Sequence, residues 1–281
     1  AISYGQGEAE SLLGANLYFY EAQLKQLIAD FNTDIKAITG QTNDIKLCLY
    51  QVATASDKGR FHTIAKQHLN ACLTDDNILL SKTMYMADYE PQPDAIHGLV
   101  QTYGSMGVKY GYQIWNEVLK GNSKPVFSVN SHTYNALKST LVFDVPYEPL
   151  VFDTTYVTAL SDGNYGFKLF DMFEDLTSIA NNTISEPTPT ITDVSIVSNN
   201  TIEITYDSDP TGSFLTYGYF GVGWEQVTGT DDLADTGRVS GARGNLRDSQ
   251  GELVQWDILN SSDVVTFSRH DNYCPMFEIQ L

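Results

Sequence analysis

What this chain is short of narrows its function first. It has three cysteines, Cys48, Cys72 and Cys274, widely spaced and without a CxxC pair, which leaves neither a zinc ribbon nor a redox pair. Cys48 and Cys72 stand in apolar surroundings, as small core residues do. Basic residues are few, 16 against 35 acidic ones, for a formal charge of −19. Such a chain repels nucleic acid and anionic membrane surfaces, which bind through Lys and Arg, so neither is expected as a partner. No run approaches the ~20 apolar residues of a membrane-spanning helix. Ala1-Ile2-Ser3 lacks the basic start and apolar stretch of a signal peptide. GxGxxG and GKS/T phosphate loops are missing, and His62, His68, His132 and His270 show no metal-ligand spacing. Surface or hydrogen-bonded roles are expected for these histidines, and neither a metal nor an organic cofactor is expected.

Length and pattern suggest two domains, 1–122 and 123–281. In the first, apolar residues at helical spacing predict a helix from Asn16 to Ala37. A strand follows over Ile45–Thr54, a helix over Phe61–Leu73 and a strand over Asn77–Met84. A long helix from His97 to Leu119 is closed by Gly121. Strands alternating with helices imply an α/β fold with a parallel sheet covered on both faces. The opening residues resemble the tail of a buried strand, so the true start is expected upstream. From Lys124 onward, short alternating segments such as PVFSVNS, STLVFDV, DVSIVS and TIEITYD are separated by Asp, Asn, Gly and Pro turns. That pattern predicts an antiparallel β-sandwich.

Two short motifs can carry chemistry. Tyr4-Gly5-Gln6-Gly7-Glu8 sits where a strand ends and a loop enters a helix, the end at which open α/β sheets bind ligands. Gly5 and Gly7 permit a sharp turn and close backbone approach. The Gln6 amide can donate a hydrogen bond to a developing oxyanion; the plainer alternative is a glycine-rich turn with a solvent-facing glutamine. The second motif, Asp94-Ala95-Ile96-His97, lies between a proline-rich loop and the long helix. A three-residue separation lets a carboxylate brace an imidazole that shuttles a proton. Asp94 could equally cap the helix.

In order and spacing, these motifs resemble the SGNH hydrolases, the GDSL-like esterases, and among them the sialate and xylan acetylesterase branch. That family carries a late D-x-x-H before its last helix, matched by Asp94 to His97. The branch carries a Q-G-E block after an earlier strand, matched by Gln6-Gly7-Glu8. Ile64-Ala65-Lys66-Gln67-His68-Leu69 resembles the helix before the penultimate strand, and Tyr103-Gly104-Ser105-Met106-Gly107 follows His97 as in these enzymes. The resemblance covers residues 1–120. It implies a truncated SGNH (flavodoxin-like) three-layer domain in which His97 and Asp94 are triad members. Gln6 would be an oxyanion donor, with Gly7 beside it, and Glu8 would position the loop or the histidine. The family's serine belongs to a G-D-S or G-Q-S-N block near the start of its fold, and neither block occurs ahead of these motifs. Ser3, Ser11 and Ser105 do not sit at a strand-to-helix elbow with small neighbours, so the nucleophile is expected upstream.

The second half resembles the β-domain attached to SGNH esterases of phage tail proteins. The segments concerned are Pro149–Thr155, Tyr165-Gly166-Phe167, Gly241–Ser249 and Asn272–Phe277. Arg243, Asn245 and Arg247 are read as a network that orders a loop, or else as sugar contacts. Together these resemblances imply an esterase deacetylating a surface polysaccharide, in a virion (phage tail) or extracellular. The upstream part of the same protein, or other virion proteins, would be partners, and a homo-oligomer is compatible. The competing expectation is a non-catalytic structural or glycan-binding virion module derived from an esterase; a third is an esterase acting on lipid or thioester substrates.

Overall fold

The computed structural model describes residues 1–13, 19–53, 63–90, 97–170, 189–219, 237–251, 253–257, 265–269 and 271–281. Its first part is a parallel sheet in the order β1-β2-β3, formed by β1 (Ile2–Tyr4), β2 (Leu47–Gln51) and β3 (Ile78–Thr83). All five residues of β2 are buried, as expected of a central strand covered on both faces. Alternation sends Leu47, Leu49 and Gln51 to one face and Cys48 and Tyr50 to the other. On the first face, Gln51 donates to the Ala65 carbonyl (3.0 Å) in helix α3 (Thr63–Thr74). On the second lies α4 (Val100–Gln113), whose Tyr110 hydroxyl donates to the Tyr4 carbonyl (2.8 Å) and whose Gln113 donates to the Leu80 carbonyl (3.1 Å).

Helix α2 (Tyr20–Thr39) packs on α3 and buries Tyr20, Leu24, Ile28 and Asn32. It ends at Gly40, in the left-handed region at φ 71°. Asn32 donates to the Ile28 and Ile45 carbonyls and accepts the Ile45 N–H, knitting the helix to the approach of β2. The four predicted elements from α2 to β3 occur within a few residues of their expected bounds. The fifth differs. The long helix begins at Val100, not His97, because an antiparallel bridge between Tyr89 and Gly98 holds the preceding residues extended; after Gln113 it continues as a π-helix over Ile114–Leu119. Its N-cap is Leu99, and Asp94 lies outside the described residues.

The β-rich part contains a four-stranded antiparallel sheet, β4-β5-β9-β8, built from β4 (Ser128–Asn135), β5 (Lys138–Asp144), β8 (Ile191–Ser198) and β9 (Thr201–Tyr206). Strict alternation in β5 and β9 buries Leu141, Phe143, Ile202 and Ile204. A second antiparallel sheet joins β7 (Phe167–Phe170), β10 (Phe214–Tyr217) and β14 (Phe277–Gln280). Two-stranded pairs, Val151–Phe152 with Leu246–Arg247 and Leu253–Asp257 with Val265–Arg269, complete the described strands. The two parts share one core. Gln51 accepts the Met276 N–H (2.7 Å) and donates to its carbonyl (2.9 Å), while Tyr85 donates to the Cys274 carbonyl (2.7 Å). No helix among the described residues is long and apolar enough to cross a membrane.

Candidate active site

Because the three strands run parallel, their carboxyl ends gather Tyr4–Glu8, Gln51–Ala53 and Thr83–Asp88 at one edge of the sheet. The Gln6–Gly7–Glu8 turn leaves β1 there and enters a short helix, Glu8–Leu13. Gln6 is held by its carbonyl oxygen, which accepts the hydroxyls of Tyr4 (2.8 Å) and Tyr20. Both phenols meet Oε1, so the Nε2 amide takes no part in these two contacts. Gly7 sits at φ 138°, where a Cβ would lie 2.9 Å from His68 Cε1 and 3.0 Å from Ile64 Cγ2. Backbone conformation and close packing both demand glycine at that position.

Glu8 accepts the Tyr50 hydroxyl at 2.5 Å. Burial, and then the Glu8 charge, push the Tyr50 and Tyr89 hydroxyls well above the usual phenol range, which places both phenols in the field of that carboxylate. Tyr89 in turn begins the segment that carries His97. The Glu90 N–H donates to the His97 carbonyl (2.8 Å), and Leu99 N–H donates to the Asp88 carbonyl (3.0 Å). The imidazole of His97 is exposed. Asp94 lies outside the described residues. The described geometry therefore holds Gln6, Gly7 and Glu8 on one turn by separate contacts, to Tyr4 and Tyr20, to His68 and Ile64, and to Tyr50, and it pairs Tyr89 with Gly98, next to His97.

Several residues at this edge are not legible as site residues in the motifs. Thr102 donates to the Asp88 carbonyl (2.6 Å) and accepts the Asp88 N–H (3.1 Å), clamping α4 to the segment before the His97 loop. From the β-rich part, Arg238 donates to the Asp88 carboxylate at 2.7 Å and to the Tyr156 carbonyl at 3.0 Å. Tyrosines at strand ends are the available sequence signal, since Tyr4 and Tyr50 fall in the last two positions of their strands. His68 corrects the expectation of a surface or satisfied histidine. It is fully buried; its Nδ1 accepts the Val52 N–H (3.3 Å), and its Nε2 has no hydrogen-bond partner among the described residues. Burial pushes its pKa down to about 3, so it is a neutral ring against Gly7. His62 and His270 lie outside the described residues.

Among the described residues, the serines weighed as nucleophiles lie within regular elements. Ser3 is inside β1, Ser11 inside the short helix, and Ser105 inside α4. Ser249 donates to the Tyr147 and Glu148 carbonyls, away from the sheet edge. Arg243 is buried and donates to the Thr158 and Gly241 carbonyls, Asn245 donates to those of Asp153 and Val157, and Arg247 pairs with Asp153 at 2.7 Å. These three order the 153–159 loop. All three cysteines are buried free thiols, and among the described residues no group of three His, Cys, Asp or Glu is placed to hold a metal ion.

No protein-family model matches the sequence, and no curated protein does. A solved structure with a similar fold is a carbohydrate acetylesterase from Xanthomonas citri. It aligns with a TM-score of 0.50 at 14% identity, over 89% of this chain and 50% of that one. The chain thus spans half the length of that enzyme, and the likeness is one of fold: a parallel sheet with helices, joined to antiparallel sheets.

Proposed function

We propose that this chain is part of a carbohydrate O-acetylesterase that deacetylates a surface polysaccharide, as a phage tail component or an extracellular protein. The observation that carries the reading is Gln6, just past the carboxyl end of β1, whose amide oxygen accepts two tyrosine hydroxyls and whose Nε2 takes no part in those contacts. A preorganised donor of that kind suits a tetrahedral oxyanion. The fold likeness to a carbohydrate acetylesterase supports the same reaction class.

In this mechanism a serine outside this chain attacks the acetyl carbonyl, and His97 takes its proton. Asp94 holds the imidazole in the required tautomer and stabilises the imidazolium. Gln6 donates to the oxyanion, and His97 returns the proton to the departing sugar oxygen. Water then releases acetate by the same path in reverse. The test is acetate release from an acetylated glycan by the full-length protein and its His97→Ala variant. Circular dichroism of the variant, matched to that of the parent protein, accompanies the assay. A loss of at least ~10³-fold is expected on removing a triad member; equal rates reject the assignment.

A further inference from the structure

A buried lysine lies outside the proposed triad. A cavity separates α4 and its π-helical continuation from segments 124–127, 146–147 and 272–275 of the β-rich part. The whole chain holds 35 acidic and 16 basic residues, yet the lining of this cavity holds three lysines, Lys82, Lys109 and Lys124, and one acid, Glu117. Chance placement in so acidic a chain would give the opposite balance.

Lys82 is the anomaly among them. It is 7% exposed, and its ammonium donates to the Ser105 hydroxyl at 2.8 Å. Among the described residues, no carboxylate lies within ion-pairing distance of it. Burying a cation without a paired counter-charge is unfavourable, so an anion brought to it is favoured. Burial and the neighbouring charge of Lys109 push its pKa down to about 7, with Asp88 opposing. Lys109 is equally buried but has Asp248 and Asp271 nearby. Lys124 lies over the Tyr147 ring at 4.5 Å, and the Tyr147 and Tyr112 hydroxyls meet at 3.3 Å. Among the described residues the Lys82 ammonium has the Ser105 hydroxyl as its hydrogen-bond acceptor, and the cavity that Lys82 lines also holds the tyrosine pair and Gln250, whose polar groups suit the hydroxyls of a sugar.

We propose that this cavity binds the carboxylate of an acidic sugar, a uronate residue of the polysaccharide, through Lys82. The inference rests on the glycan reading above but concerns binding, not ester cleavage. A second contact of this kind would select acidic over neutral glycans before the acetyl group reaches the sheet edge.

The experiment is calorimetric titration of the full-length protein with unacetylated trigalacturonate, with the neutral galactose trimer, and with inorganic phosphate. Trigalacturonate is expected to bind, the neutral trimer at least tenfold more weakly, and Lys82→Met at least tenfold more weakly for trigalacturonate. Lys124→Ala, at the rim of the cavity, guards against a folding artefact and is expected to weaken the same binding several-fold. Absence of trigalacturonate binding, or equal affinity of the Lys82→Met protein, overturns the proposal. Phosphate binding that depends on Lys82 while the uronate trimer fails also overturns it, since the site would then serve a different anion. No acetyl ester is present, so an inactive esterase leaves this outcome untouched.

Discussion

Tyr50 donates its phenolic proton to Glu8 at 2.5 Å, joining the central strand of the parallel sheet to the turn that leaves the edge strand β1. The same turn is gripped from the opposite side by Tyr20, whose hydroxyl reaches Gln6 and whose ring meets His68 edge-on at a centroid distance of 5.2 Å. Three elements distant in sequence thus converge on three consecutive residues. That convergence holds the turn from three sides, and several consequences can be measured.

Tyr50→Phe keeps the ring and removes the hydroxyl. A hydrogen bond to a charged acceptor contributes about 1.5–3 kcal/mol, so urea unfolding should show a loss within that range. Acetate release should fall about tenfold as the Glu8 turn loosens. No change in either quantity would show that the Tyr50–Glu8 contact holds nothing in place.

Gln6→Ala removes the proposed oxyanion donor. The expected loss is ~10²–10³-fold in kcat with KM little altered, because the interaction forms in the transition state. Gln6→Glu, which keeps an oxygen for Tyr4 and Tyr20 but substitutes a carboxylate for the amide, should be at least as impaired. A rise in KM alone would assign Gln6 to ground-state binding instead.

His68 makes stability depend on pH. Its folded pKa, about 3, lies below the ordinary imidazole value of 6.5 because burial disfavours the charged ring. The unfolded chain therefore binds the extra proton between those values. The neutral ring's contribution is complete above pH 6.5 and is lost as pH falls toward 3, at about 1.4 kcal/mol per pH unit. His68→Gln retains an acceptor for the Val52 N–H. Unfolding free energies of the two proteins from pH 7 to pH 4 should converge or cross as acid is added; parallel curves would mean that His68 binds its proton as readily in the native state as in the unfolded chain.

Much of this arrangement is legible in the residues themselves. The continuous apolar run at Leu47–Tyr50 and the helical spacing from Tyr20 to Phe31 place the central strand and α2, because burial on two faces and on one stripe leaves different periodicities. The β5 and β9 alternations read equally well. The segment Phe214–Tyr217 does not, since all four residues are buried and no alternation marks it. The start of α4 is misread for another reason: the Tyr89–Gly98 bridge, a long-range pairing, overrides the local helical pattern at His97. The Q-G-E turn marks the sheet edge, but the tyrosines that hold it, and Arg238 reaching Asp88 from 150 residues away, are set by tertiary packing alone.

The most direct test labels the full-length protein with a fluorophosphonate and locates the modified residue by peptide mass spectrometry. The account predicts one phosphonylated serine, situated ahead of Ala1 in the chain, and loss of the label in His97→Ala. Label on a serine within residues 1–281, or label that persists without the His97 imidazole, would contradict it.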